Sequence, residues 1–283
     1  MEPPASLVRS RELVELALVA AVEELAEELL PAIRYHFGWA TADGVPVEED
    51  SGKRLRPALA LLSAEAVGSH PHVALPGAVA VELIHNFSLI HDDVIDGDIE
   101  RRHRPTVWTC FGTDEALIAG DALHSLAFQV LLAEALPPRV ASAQRLVGAT
   151  TAMIAGQAAD MAFDDVPVVS LTDCRVMEEA KTGALLGYAA SVGAVLAEAE
   201  AKAINALEKY GRQLGLAYQA VDDVLGIWGD SAVTGKPAGN DLRERKKSMP
   251  VAVVLSLGGK ASENLTEIYG RCEDLDDEDV ARA

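Results

Sequence analysis

A chain of 283 residues, 49% of them hydrophobic, can bury a sizeable core as one large domain or two ordinary ones. Its formal net charge of −20 argues against nucleic acid as a general partner, and it makes any local cluster of Lys and Arg informative. Aromatic residues make up only 5% while Ala and Leu are abundant, which favours helix over sheet.

Cys110, Cys174 and Cys272 are far apart and form no CxxC pattern, so neither a disulfide framework nor a zinc site is indicated. A reducing cytoplasm fits that usage. The start, Met1-Glu2-Pro3-Pro4, carries no basic and apolar leader, and no unbroken apolar run long enough to span a bilayer is seen. A transmembrane segment is therefore not expected.

In chain order, residues 6–36 read as a first amphipathic helix, with Val14, Leu18, Val22, Leu25 and Leu29 at helical spacing. A loop rich in Gly and acid follows to residue 50. Gly52-Lys53-Arg54-Leu55-Arg56-Pro57 then opens a helix to about Val67, with Pro57 tolerated in its first turn. Residues 73–97 form a long helix that is apolar nearly all round, which implies burial. Residues 98–112 are a polar loop, and 114–135 a second very apolar helix closed by Pro137-Pro138. Residues 139–163 are helical. Ser170 or Thr172 caps the next helix, which runs through Lys181-Thr182-Gly183 to about Leu196. A long helix over 198–228 ends in Asp222-Asp223, and residues 241–257 begin with a basic cluster and continue apolar. No strand shows convincing alternation, and no repeat or linker is seen. The expectation is a single all-α domain, a helical bundle around a central cavity.

The chemistry concentrates in His85 to Arg102. A residue advances about 100° per step around a helix, so His85, Ser88, Asp92 and Asp96 share one face. Carboxylates on a buried helix are costly unless paired or bound to metal. Two of them one turn apart suit a hard cation such as Mg²⁺. Asp222 and Asp223 repeat the signal at the end of another long helix, and two such helices facing each other would aim both sets into one cavity. Lys53, Arg56, Arg101, Arg102, Lys181, Lys236 and Lys247 sit at helix ends and loops. Arg suits bidentate phosphate contact, and Lys acts as a point charge. Carboxylates, metal and cations together point to a phosphorylated substrate.

From about Gly52 to Pro250 the chain resembles the trans-isoprenyl diphosphate synthases, also called polyprenyl synthetases. The likeness rests on ordered motifs: GKRLRP at 52–57, HNFSLIHDDVID at 85–96, RRHRPT at 101–106, GQAAD at 156–160, KTG at 181–183, YQAVDD at 218–223, and GK, DL and KKS between 235 and 248. It implies a Mg²⁺-dependent homodimeric prenyltransferase with about three ions. Asp92, Asp96 and Asp222 would be metal ligands, with Asp93 and Asp223 in support. Arg101, Lys181 and Lys236 would hold an allylic diphosphate, and Lys53, Arg56, His85 and Arg102 isopentenyl diphosphate. Lys247 would be a further phosphate contact. Thr182 and Gln219 would steady the developing cation through their oxygens. The allylic C–O bond ionises, the isopentenyl double bond attacks, and a proton leaves, for which the departing diphosphate is the acceptor. Bulky Phe87 with small Ser88, ahead of Asp92, resembles the pattern of geranylgeranyl (C20) diphosphate synthases.

Two departures stand out. Gly226 occupies the place where the family usually has the third Asp of its second motif. The family usually also continues for several more helices beyond Ala283, so residues 1–283 are expected to be one polyprenyl synthetase domain truncated at its C-terminus. The rival readings are a class I terpene cyclase on the same fold, a non-catalytic subunit of a hetero-oligomeric synthase, and a di-iron bundle using Glu82-x-x-His85. The last would need a second ExxH, which the sequence lacks.

Overall fold

The computed structural model describes residues 4–47, 52, 54–230, 239–271 and 275–283. They divide into two compact units, Met1–Gly148 with Gly187–Gly211, and Ala149–Leu186 with Arg212–Ala283. Among the described residues the only strands are two residues long each, so the all-α expectation holds.

The first unit contains α1 (Ala5–Val22), α2 (Leu30–His36), α3 (Leu55–Ala66), α4 (Leu75–Asp96), α5 (Val107–Phe111) and α6 (Thr113–Leu132). The helix expected over residues 6–36 is broken between Val22 and Leu30, and Pro31 stands in the first turn of the helix that follows. A proline lacks the amide N–H and its ring clashes with the preceding turn, so it is tolerated only in the first turn of a new helix, where α2 carries it. The expected loop after α4 is a short hairpin, β1 (Glu100–Arg101) with β2 (Arg104–Pro105), followed by α5.

α4 is the centre of this unit and packs against both α3 and α6. Leu83, Ile84 and Ile90 on α4 are fully buried, with Leu61 on α3 and Leu123, Leu126 and Leu131 on α6. That burial is why α4 is apolar on nearly every side. Among the described residues, Pro71–Asp96 and Thr113–Leu132 are each long and apolar enough, by length and composition, to cross a membrane. A few polar residues interrupt the apolar run in each. α4 is mostly buried inside the protein, as a core helix is.

The second unit holds α8 (Leu171–Glu178), a π-turn over Glu179–Gly183, and the helices Asn240–Arg243, Met249–Leu257, Gly259–Tyr269 and Asp277–Arg282. Ser170 caps α8, its Oγ accepting the Asp173 N–H at 3.1 Å. Ile227, Leu242, Val251, Leu255 and Leu265 form one core cluster, and Val169, Cys174 and Ala252 another. Three further helices are each divided between the two units: α7 (Pro137–Phe163), α9 (Ala184–Leu196) and α10 (Ala201–Trp228).

Within the first unit, α9 meets α3 backbone to backbone at Gly193. A Cβ there would overlap the carbonyl of Ala60 and lie 2.7 Å from the Ala64 nitrogen. Backbone cannot give way as a side chain does. Gly193→Val is therefore expected to lower the unfolding free energy by about 3 kcal/mol, read from the midpoint of urea denaturation. An unchanged midpoint would show that α3 and α9 do not pack this closely.

Candidate active site

The carboxylates of the first acidic motif divide by environment. Asp93 is 2% exposed, and its Oδ1 accepts the Arg101 Nε–H at 2.6 Å. Asp92 is half-buried and Asp96 exposed, one helical turn apart on α4. The second motif repeats the division. Asp223 is 6% exposed, its Oδ1 accepting from Gln219 Nε2 at 2.9 Å and its Oδ2 from the Met249 backbone N–H at 2.8 Å. Asp222 beside it is exposed. In each pair the trailing Asp is buried among its partners and the leading Asp is the more exposed of the two. Outward-facing oxygen donors on rigid helices fit a hard divalent cation, for which carboxylate and water are the usual ligands.

A buried polar chain supports α4 from within. Arg54, its side chain 1% exposed, donates from Nη1 to Glu82 Oε1 at 2.6 Å and bridges to Glu15 at 3.1 Å. Asn86 Nδ2 donates to the same Glu82 carboxylate at 3.1 Å. With its amide nitrogen so used, Asn86 Oδ1 accepts from His36 Nε2 at 3.0 Å, which assigns the proton to Nε2. Burial, with the charge of Arg102 second, lowers the His36 pKa to about 3. His85 is likewise held well below the usual imidazole range by burial, then by Arg56, Arg102 and Arg101. Cations thus gather around two neutral imidazoles, the setting an anion requires. A recess lined by Tyr35, His36, Asp93, Arg101, Arg102 and Arg104 opens here.

Backbone strain marks the same place. Arg101 pairs with Arg104 across the hairpin, so Arg102 and His103 form its two-residue turn, both with positive φ (53° and 61°). Such turns favour Asn and Gly, and a non-glycine residue held there costs free energy. Arg54, entering α3, has φ 50°. Arg102, expected among the site residues, lines this recess, while Glu15, Arg54, His36, Glu82 and Asn86 did not figure in that expectation. The available signal was a glutamate and an asparagine inside an otherwise apolar helix, which demand partners. Glu82 is engaged by Arg54 and Asn86, a structural use of the Glu in the ExxH sequence.

Phe87 is 8% exposed and lies on the seam of α4 and α6. Its ring meets His91 and His124 edge-on, with centroids 4.8 and 5.1 Å away, and His124 meets Phe128 at 5.2 Å. Ser88 turns its hydroxyl back to the His85 carbonyl at 2.8 Å.

In the second unit, the π-turn presents Lys181 and Thr182. π-Turns are rare and concentrate at functional sites. Gly156 of α7 makes room for the turn, since a Cβ there would overlap the Lys181 backbone. Lys181 Nζ pairs with Asp160 of the same α7 motif. Thr182 Oγ1 donates to Gln219 Oε1 at 2.8 Å, so Thr182, Gln219 and Asp223 form one continuous chain of hydrogen bonds. Lys247 Nζ donates to the Arg245 carbonyl at 3.2 Å and lies 5.4 Å over the Tyr269 ring, its pKa lowered chiefly by burial. Lys53 and Lys236 lie outside the described residues. Glu178, 2% exposed, was not anticipated. Burial and the neighbouring Asp223 push its pKa to about 8, and Cys174 Sγ donates to its Oε1 at 3.4 Å.

With this geometry in view, the comparisons with known proteins are decisive about class. Residues 47–283 match the family model described as polyprenyl synthetase, and the chain belongs to that family. It is a trans-prenyltransferase, an enzyme of isoprenoid biosynthesis. It is 49% identical over 257 residues to a (2E,6E)-farnesyl diphosphate synthase of Mycobacterium tuberculosis, covering 90% of this chain and 71% of that protein. It is 41% identical over 282 residues to a geranylgeranyl diphosphate synthase of the same organism, covering 99% of this chain and 80% of that one. The crystal structure of a polyprenyl synthetase from Streptomyces coelicolor superposes with a TM-score of 0.93 at 49% identity, covering 99% of this chain and 85% of that one. The family implies a divalent metal, which the donor set described above fits.

The Glu178 environment has a measurable consequence. Its pKa rises from 4.5 unfolded to about 8 folded, so its contribution to stability is full below pH 4.5 and is lost as pH rises through 8. Glu178→Gln keeps the shape and removes the titration. In EDTA, the variant should gain on the wild type in urea midpoint as pH rises from 5 to 8. Parallel curves would show that Glu178 is ionised in the fold.

Proposed function

We propose that the chain condenses isopentenyl diphosphate with an allylic diphosphate, head to tail, to give a trans-polyprenyl diphosphate of the C20 class. The observation that carries this reading is the gathering of Arg56, Arg101 and Arg102 around neutral His85 and His36. It is an anion site additional to the carboxylates of Asp92 and Asp96. A terpene cyclase acting on one diphosphate has no need of it, and a non-catalytic subunit would not need the outward-facing acids.

In this reading Asp92, Asp96 and Asp222 hold Mg²⁺, which when bound neutralises charge on the departing diphosphate. Arg101 and Lys181 orient the allylic diphosphate, with Lys236 and Lys247 as further contacts. Arg56, His85 and Arg102, with Lys53, bind isopentenyl diphosphate. Arg101 and Lys181 are held in place by Asp93 and Asp160, so their positions are set before substrate arrives. The Thr182 hydroxyl proton is directed to Gln219, which orients the lone pairs of Oγ1 and lets that oxygen face a developing carbocation. Apolar residues of α4 and α6 keep water from quenching that cation.

For product length, the relatives named above include both a farnesyl and a geranylgeranyl synthase, so family membership alone does not decide. The C20 reading rests on bulky Phe87 beside small Ser88, with His91, His124 and Phe128 stiffening the Phe87 ring as a floor. The test is incorporation of radiolabelled isopentenyl diphosphate with dimethylallyl, geranyl or farnesyl diphosphate as primer and Mg²⁺ present. A C20 product is expected, and Phe87→Ala should lengthen it. A cyclic hydrocarbon formed without incorporation would favour the cyclase, and an unchanged distribution in Phe87→Ala would remove Phe87 as the floor.

We further infer a homodimer. α6 buries Leu123, Leu126 and Leu131 on one side while Leu117, Ile118 and Leu132 are exposed. The free thiols of Cys110 and Cys174 support a cytoplasmic setting. Sedimentation equilibrium should give twice the chain mass, and Ile118→Glu should shift it toward the monomer. A wild-type monomer would rule the dimer out.

A further inference from the structure

Pro105 sits where a hairpin has no use for the N–H that proline lacks. Arg101 pairs with Arg104 across the two-residue turn, and the next bond of the ladder runs from the Thr106 N–H to the Ile99 carbonyl at 3.0 Å. Glu100 and Pro105, between them, therefore form a non-hydrogen-bonded pair, whose backbone groups point away from the partner strand. A proline removes no ladder bond there, and its carbonyl is left to find a donor elsewhere. Tyr35 of α2 is that donor, its hydroxyl donating to the Pro105 carbonyl at 2.7 Å.

The Tyr35 ring is itself held. It is 6% exposed, it meets Phe111 of α5 edge-on with centroids 5.5 Å apart, and its hydroxyl accepts from Cys110 Sγ at 3.4 Å. The Arg104 guanidinium lies over its face, 4.3 Å from the centroid. Arg101 and Arg104 stand directly opposite each other in the ribbon, where like charges repel. They part to separate partners, Arg101 to Asp93 and Arg104 to the Tyr35 ring. The strained turn of Arg102 and His103 thus hangs on a stem fixed by Asp93 on the β1 side and by Tyr35 on the β2 side. At its tip the Arg102 guanidinium fills the space beside Gly52, where a built Cβ would lie 2.7 Å from Nη2.

We propose that Tyr35 is a positioning residue for Arg102. By holding the Pro105 carbonyl it keeps the Arg102–His103 turn left-handed, and so places the Arg102 guanidinium on isopentenyl diphosphate. This rests on the reading that Arg102 binds that diphosphate. A turn with positive φ at two non-glycine residues relaxes toward ordinary backbone unless its surroundings over-determine it. Arg101 keeps its own tie to Asp93, so Tyr35 acts on the isopentenyl side of the reaction and leaves the allylic diphosphate unaffected.

The test is the initial rate of radiolabelled isopentenyl diphosphate incorporation with geranyl diphosphate and Mg²⁺, each substrate varied in turn. Arg102→Gln is expected to raise the KM for isopentenyl diphosphate by about ten-fold or more. Tyr35→Phe keeps the ring and loses only the hydroxyl. It should raise the same KM by about five-fold, with kcat and the KM for geranyl diphosphate within about two-fold of wild type. His103→Gly takes the left-handed conformation without strain, so Tyr35→Phe/His103→Gly should return to within about two-fold of wild type. An unchanged KM in Arg102→Gln would remove the reading of Arg102 and the proposal with it. With Arg102→Gln impaired, a wild-type KM in Tyr35→Phe would overturn the role of Tyr35 alone. So would a Tyr35→Phe enzyme in which kcat falls and both KM values rise, since that is general loosening. A double variant as weak as Tyr35→Phe would overturn it too, because the turn would then not be what the hydroxyl holds.

Discussion

A charged group can be fixed at the end of an apolar helix only if its lost hydration is offset by partners, and the structure depends on how that is done. α4 must be apolar to sit in the core, yet it carries Glu82, Asn86 and Asp93 with less than a tenth of their surface exposed. Arg54 answers Glu82, Asn86 joins the same carboxylate to His36, and Arg101 answers Asp93. Breaking such a buried pair on one side typically costs about 3–5 kcal/mol, because the remaining charge stays buried. The network therefore fixes the helix in rotation and height, and so sets where Asp92 and Asp96 point.

The same solution recurs on α10 with different partners. Asp223 takes the Met249 N–H and the Gln219 amide, and burial first, then the neighbouring Asp223, raises the Glu178 pKa to about 8. One member of each Asp pair is thus buried among its partners, while Asp92 is half-buried and Asp222 exposed. Three of the five described non-glycine residues with positive φ, Arg54, Arg102 and His103, lie on the elements around α4. Arg54 and Arg102 hold positive φ with their guanidinium groups placed by neighbours, Arg54 by Glu15 and Glu82, and Arg102 in the space that a Cβ on Gly52 would take.

Much of the fold was legible along the chain. The apolar periodicity of α4 and α6, the cap at Ser170 and the long helix ending at Asp222 and Asp223 all stand as read. The misreadings have local causes. Pro31 falls in a stretch otherwise periodic enough to pass for one helix, and the rule against internal proline should have split it. The hairpin turn at Arg102 and His103 lacks the Asn and Gly that would announce it, because the strain there is met by contacts distant in sequence. The π-turn at Lys181 looks like ordinary helix, since its extra residue is accommodated by α7 at Gly156.

By itself, the sequence determined the class of chemistry. Acidic pairs at helix ends and arginines in the following turns describe a cation and a diphosphate whatever their surroundings, because charge type and helical spacing are local properties. Only the tertiary structure decided which Asp of each pair is buried and which histidine nitrogen carries its proton. Each of those depends on partners brought from other elements, as His36 is brought to Asn86 and Met249 to Asp223, and desolvation and hydrogen-bond partnership exist only once the helices have packed.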